Sequence, residues 1–457
     1  MNSISSKPMA HAGAAFRQFA LVSPLFLFTF TAVPVNAATD ICSALSSPIY
    51  QVVNPDTQVN LLTYSQNEAN NAAIRYGFTQ TKGTPFSAAL TAANGLVAVH
   101  RLYNTASNDF VWMTDPNEIA SAIQKYGYVD QNIYFYVPSS ENGCTQPVYR
   151  FLKGNKHRFA VSQEDQDDLA ANGWIYEKVA FNAGYAVPGA TNTGVPAWVS
   201  LTSYTGPTTI TVNGTVIDGK EIHSLVQIKA QDVVIKNSRI VGGDAVTGAS
   251  QQSLVHVYPN ASLTIQDSEL YAQNESPSIN GVTTYGNTTV ERVNIHNVID
   301  SVTIVGDNVV VQDSWLHHNL YYPAGVDPYK SDGSHSDNIQ IPQGRNIQLL
   351  NNNLGEGVER LNATIMVTQD YGVVTDLLIQ NNYAYVGKGP GGSGGCSFNF
   401  KVSAAPLKGA IIQDNTFVKT SPCAMTMNEQ TETNLAPSLS KLNNTWEDGT
   451  PVKIYHY

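Results

Sequence analysis

Seven short segments in the second half of the chain repeat one pattern, a β-branched or aliphatic run closed by a polar pair. They occupy 233–238, 263–268, 289–293, 309–314, 347–352, 377–382 and 410–415, and a partial eighth ends in Asn443-Asn444. Successive pairs lie 30, 25, 21, 38, 30, 33 and 29 residues apart. A unit this short cannot bury its apolar side alone, so neighbouring units must stack and share a core. Parallel crossovers within one stack are right-handed. The repeat therefore predicts a right-handed parallel β-helix from about residue 198 onward, with the surplus residues of longer coils leaving as loops. Asn and Asp at equivalent corners are expected to stack and to bond backbone groups of the next coil.

The first half repeats differently. Three units begin Ile49-Tyr50-Gln51-Val52, Val99-His100-Arg101-Leu102 and Val148-Tyr149-Arg150-Phe151, with a period near 50. Each continues into a second strand and a short acidic helix. Ser65, Asp115 and Ser162 read as helix N-caps with an acid three residues on. Gly77, Gly127 and Gly173 read as helix stops. Such units need partners, so the three are expected to close around one core with pseudo-threefold symmetry. Their tyrosines and tryptophans read as core aromatics first and as sugar-stacking rings second. The stretch from Gly184 to Pro196 is rich in Gly, Ala, Thr, Asn and Pro, as linkers are. The fold class is all-β: a three-repeat β-rich accessory domain with short helices (38–186), a linker (187–197) and the β-helix (198–457).

Ahead of these lies an export pattern. A polar stretch with Lys7 and Arg17 precedes an apolar run from Phe19 to Val35, which ends at Val35-Asn36-Ala37. This reads as a cleaved signal peptide, 1–37; the run is short for a membrane span and no charged stop follows it. The mature protein is expected to be secreted, extracellular or periplasmic, monomeric and without membrane insertion. An even number of cysteines in an exported chain favours disulfides. The pairs Cys42–Cys144 and Cys396–Cys423 keep each bridge within one half. Removing Lys7 and Arg17 takes the formal charge from −11 to −13. That balance argues against nucleic acid or an anionic membrane as partner. A polyanionic polysaccharide would need a local basic cluster.

In–out alternation on the strand before each ladder segment assigns His256, Thr303, Asn338, Gln340, Thr364, Met366, Asn399 and Lys401 to the outside. Stacked coils turn them into a groove suited to an extended polymer. The longest insertion lies beside it, at 317–340. It holds three of the ten histidines, Lys330, three aspartates and three tyrosines. Loops dense in titratable groups over a rigid scaffold are where catalysis is usually built. The plainer alternative is a hydrogen-bonded loop in which His335 and Asp337 close a turn.

Two resemblances add to this reading. Ser334-His335-Ser336-Asp337-Asn338-Ile339-Gln340 is similar to a His-x-Asp-x-Ile-Gln motif of secreted right-handed β-helix proteins, and residues 214–220 and 234–240 look like their opening coils. The group belongs to the pectin and pectate lyase superfamily, which implies a polysaccharide lyase, with hydrolases, epimerases and binders also represented. The first-half units resemble a tyrosine-rich triplicated module appended to secreted bacterial proteins, implying a cell-surface or glycan-binding accessory role. The chain lacks the acid pair and His-Gly pattern of polygalacturonases and the aspartate set of a pectate-lyase calcium site.

β-Elimination from a uronate needs a base, a neutraliser for the carboxylate and an acid for the leaving oxygen. Lys330 or His335 is the candidate base, Arg360 or Lys401 the neutraliser, and Tyr329 or His317 the acid. Asp337 is assigned to orient His335, and Asn338, Gln340, Asn399 and His256 to hold sugar. No cofactor is required; Asp327, Asp332 and Asp337 are oxygen ligands available to Ca2+. A glycoside hydrolase would instead use Asp337 with Glu356 or Glu359 as a carboxyl pair. A third reading is a non-catalytic glycan-binding surface protein.

Overall fold

The computed structural model describes residues 41–456 except 142–144, 191, 197–198, 244–251, 327–330, 359, 386–394, 402–406, 408, 419–422 and 440–442. The expected signal peptide, Cys144, Tyr329, Lys330, Asp327 and Glu359 lie outside the described residues, as does the side chain of Cys42.

From Thr202 onward the chain winds through three parallel sheets and forms a right-handed parallel β-helix. Sheets 1 and 3 each have ten strands and sheet 2 has eight. Each coil passes from sheet 1 through sheet 2 to sheet 3, so every strand pairs with its counterpart one coil away. Alternation fills the interior. Val255, Val282, Val302, Ile339, Ile365, Phe398 and Met425 stand in register on sheet 1 as a single inward column, each at most 1% exposed. A helix, Glu429–Leu439, follows the ninth strand of sheet 1 and lies against Ala410–Gln413, the last strand of sheet 2. It covers an edge that would otherwise present unpaired backbone groups.

The polar pairs form the corner between sheets 2 and 3, and their two positions do different work. The first residue of each pair, from Asn237 and Asp267 to Asp414 and Asn443, has φ between 42° and 58°. Asn and Asp tolerate this left-handed conformation better than other side chains, which is why the corner recurs as Asn or Asp. The second residue points inward and knits the coils together. The Asn382 amide donates to Leu349 O at 2.8 Å and to Asn415 Oδ1 at 3.0 Å. Its oxygen accepts from Asn352 N and Nδ2, both at 3.0 Å. Cys396 and Cys423, 27 residues apart, form a disulfide.

Residues 47–184 build antiparallel sheets of seven and three strands, joined by an isolated bridge between Ala89 and Tyr136. The three units share a core that includes Ile49, Val99, Trp112, Phe135, Val148, Phe159 and Phe181. The helices Gln66–Tyr76, Pro116–Tyr126 and Gln163–Ala171 are capped by Ser65, Asp115 and Ser162 as their sequences predict, and Gly77, Gly127 and Gly173 adopt positive φ at their ends. Unit contacts repeat as well. Arg101 pairs with Glu68, Arg150 with Glu118, and Lys82 with Asp165, each cation meeting an acid from the first turn of another unit's helix.

The stretch read as a linker is held by hydrogen bonds on both sides. Asn192 Nδ2 donates to Thr84 Oγ1 at 2.7 Å, Asn353 Nδ2 to Pro188 O at 2.9 Å, and Gly194 N to Arg292 O at 2.9 Å. Arg292 is the one arginine in the left-handed corner row, at φ 52°. It is buried and donates to both oxygens of Asp267 at 2.8 and 2.9 Å. Gly83 closes over its stem: a Cβ there would lie 2.3 Å from Arg292 Cδ. The next corner acid, Asp313, has its pKa raised to about 6, first by desolvation and then by Glu291, while Asn351 and Arg292 oppose the rise. A raised carboxyl is penalised in the folded state wherever it is ionised. The penalty is therefore full above pH 6 and is relieved as pH falls towards 3.8, the ordinary value. Asp313→Asn keeps the oxygen that accepts from Asn351. It is expected to stabilise the protein at pH 7 by on the order of 1 kcal/mol and to have no such effect near pH 4, as measured by denaturation at both values.

Candidate functional site

The outward face of sheet 1 carries one residue per coil in strict register: Gln227, His256, Thr283, Thr303, Gln340, Met366, Asn399 and Thr426. Amides and hydroxyls dominate the row, with Met366 among them; Thr303, Met366 and Thr426 are buried, and of these eight residues His256 alone is ionisable. His256 sits at one end among rings, 4.6 Å from Tyr258 and 5.5 Å from Tyr285 between centroids. Lys229 Nζ lies 4.5 Å from the Tyr258 ring centre. Burial, then the Lys229 charge, pushes the His256 pKa down. Lys401 is exposed just beyond the strand Phe398–Phe400.

The loops that lead into the strands Asp337–Ile341 and Ala363–Val367 carry charged groups. Arg360 Nη1 donates to the Tyr321 hydroxyl at 3.0 Å, and its guanidinium carbon lies 5.0 Å from the centre of that ring. The two residues are 39 apart in sequence. His335 Nε2 faces Asp332 Oδ2 at 3.0 Å. A proton held at Nε2 by that carboxylate leaves Nδ1 as the basic nitrogen.

Four expectations need correction. The carboxylate beside His335 is that of Asp332; Asp337 is 1% exposed and accepts from Asn362 Nδ2 at 3.1 Å. Asn338 is fully buried, its amide donating to Leu316 O and to Asn319 Oδ1 at 3.1 and 2.6 Å. Thr364 is buried likewise and bonds Ser397. Alternation alone puts both residues outside, but at the corner where the strands begin Asn338 turns to the end of the sheet 3 strand and Thr364 to the next coil. His317 belongs to sheet 3, away from the row. It follows the strand Trp315–Leu316, stacks on Trp315 at 3.5 Å and reaches Asn294 Oδ1 at 2.7 Å. Burial, then His296 and His318, lowers its pKa to about 3. At neutral pH the ring is held in its neutral form, whose remaining N–H is far too weak an acid to protonate a leaving oxygen, which argues against His317 as proton donor.

Sequence reasoning passed over Tyr321, Tyr258, Tyr285 and Lys229. The signal for Tyr258 and Tyr285 was present, because each directly follows a sheet 1 strand in successive coils. It also passed over an aromatic strip on sheet 3, where Tyr271 stacks on His296 and His296 on His317. Glu356 accepts from Trp315 Nε1 and Asn353 Nδ2 there. Among the described residues no three of His, Cys, Asp and Glu come together to hold a metal ion. Among them, too, no helix is long and apolar enough to cross a membrane.

A family model described as a domain of unknown function (DUF5648) matches residues 48–184. No curated protein matches the chain. A solved structure, the Azotobacter vinelandii mannuronan C-5 epimerase AlgE6 A-module, aligns at 10% identity and a TM-score of 0.25. The alignment covers 54% of this chain and 65% of that one.

Proposed function

We propose that this is a secreted carbohydrate-active protein that cleaves a uronate-containing polysaccharide by β-elimination along the outward row of sheet 1. The observation that carries the reading is Arg360 held against the Tyr321 hydroxyl in the loops that lead into strands of that row. The guanidinium meets the substrate carboxylate in a bidentate fashion, so that the charge developing as the neighbouring carbon loses its proton is tolerable. The Tyr321 hydroxyl accepts from Arg360 and keeps its own proton for the leaving glycosidic oxygen. His335, oriented by Asp332, removes the carbon-bound proton through Nδ1. Gln340, Asn399 and His256 bind successive sugars along the groove. The hydrolase reading has less support: Glu356 is engaged by sheet 3 side chains and Asp337 by Asn362 beneath the loops, whereas that chemistry needs two carboxyls facing one bond. A screen of alginate, pectate, glucuronan and hyaluronan tests the proposal. One of the four is expected to yield the ultraviolet absorbance of an unsaturated uronate. Binding of a polymer without any product would favour a non-catalytic surface protein.

A further inference from the structure

The three-unit module contains its own comparison. At the junction of its first and second units, Tyr134 fills the space beside the Arg101–Glu68 pair. Its ring centre is 4.1 Å from the Arg101 guanidinium carbon, and its hydroxyl bonds Glu68 and Thr63. The junction of the second and third units repeats the frame, with Arg150 on Glu118 at 2.7 Å and Met113 in the position of Thr63. The strand registers Val99↔Phe135 and Val148↔Phe181 place Ala180 where Tyr134 stands. No ring fills this second junction, although Lys178 Nζ bonds Glu118 where the Tyr134 hydroxyl bonds Glu68. A cavity of about 600 Å3 lies there instead, with Met113, Glu118 and Arg150 in its wall. That volume is in the range of small-molecule sites.

The wall is chemically specific. Arg150 is 5% exposed; its Nε donates to Glu177 at 2.8 Å, while Nη1 has no partner. Arg150 and Lys178 are offset by Glu118 and Glu177, so this wall carries no surplus positive charge to hold an anion and favours a neutral ligand. Ser121 and Asn155 add further hydrogen-bonding groups, and Tyr126, 68% exposed, offers a ring to stack upon.

We propose that this cavity binds a neutral sugar ring, which supplies the ring that Tyr134 supplies at the other junction. The site is separate from the sheet 1 groove and stands or falls independently of the cleavage reading. The test is ligand-observed NMR titration of the full chain with glucose, galactose, mannose and N-acetylglucosamine, with glucuronate as the charged counterpart. At least one neutral sugar is expected to bind saturably, and glucuronate at least tenfold more weakly than glucose. Ala180→Tyr, which restores the plug, is expected to weaken binding at least tenfold without lowering Tm. Ser121→Phe, which enters from the helix wall, gives the same loss and keeps the test decisive if Ala180→Tyr folds poorly. Failure of all four neutral sugars, equal or tighter binding of glucuronate, or unchanged affinity in a folded variant would overturn the proposal.

Discussion

Arg360→Ala is expected to lower turnover of the cleaved polymer at least a hundredfold while leaving Tm within a few degrees of the parent. The scale is that of a preorganised donor removed from a site where negative charge develops. Fold stability should survive because the side chain is half-buried outside the core and reaches the hydroxyl and ring of Tyr321. Arg360→Lys tests the geometry rather than the charge. An ammonium cannot span both carboxylate oxygens as the planar fork does, so partial recovery at most is expected. Tyr321→Phe removes the hydroxyl and keeps the ring that Arg360 lies over. It is expected to lower kcat strongly with little change in KM, since the proton is needed only as the bond breaks. Near-parental turnover in both Arg360→Ala and Tyr321→Phe would remove the pair from the mechanism.

Asn382→Ala should be the most damaging single substitution in the corner rows, costing roughly 3 kcal/mol or more by denaturant unfolding. Asn382 is 1% exposed and is shared by three coils. Its loss takes the side-chain partner from Leu349 O and from Asn352 N in the interior, while Asn415 Oδ1 keeps the Asn382 backbone N–H and Asn352 Nδ2 keeps Val311 O. Each buried polar group left without a partner costs about 1–3 kcal/mol, partly recovered by relaxation. Its neighbour Asn381 offers the control. That residue has φ 58° and bonds only Asn351 by its side chain. Glycine adopts this conformation without strain, so Asn381→Gly should cost less than about 1 kcal/mol. Equal costs at the two positions would mean that the corner, and not the inward ladder, carries the stability.

That pair of residues also shows what the sequence makes legible. A repeated Asn-Asn after an aliphatic run states both a left-handed corner and an inward amide, so the β-helix follows from the pattern alone. Helix caps at Ser65, Asp115 and Ser162 are local for the same reason. The site is less legible because its contacts are long-range. Arg360 and Tyr321 meet only after one insertion folds against the next. Asn338 alternates outward on paper, but nothing in its own strand reveals that it will turn to the end of the sheet 3 strand. His317 was recoverable: it stands three residues after the second residue of its polar pair, as Tyr271, His296 and Tyr385 do, and that spacing marks sheet 3. Arg292 was hidden for a different reason. An arginine in a left-handed corner makes sense only once Gly83 and residues 187–194 are seen to pack around it.

The mass of the oligosaccharides released from the polymer tests the central claim most directly. β-Elimination breaks the glycosidic bond without adding water, so every fragment with a new non-reducing end is expected to carry one unsaturated uronate there and to be lighter by one water than the matching hydrolysis fragment. The Arg360→Ala protein should release almost none of it. Fragments of full hydrolytic mass, or a polymer whose sugars are altered while its chain length is unchanged, would contradict the account.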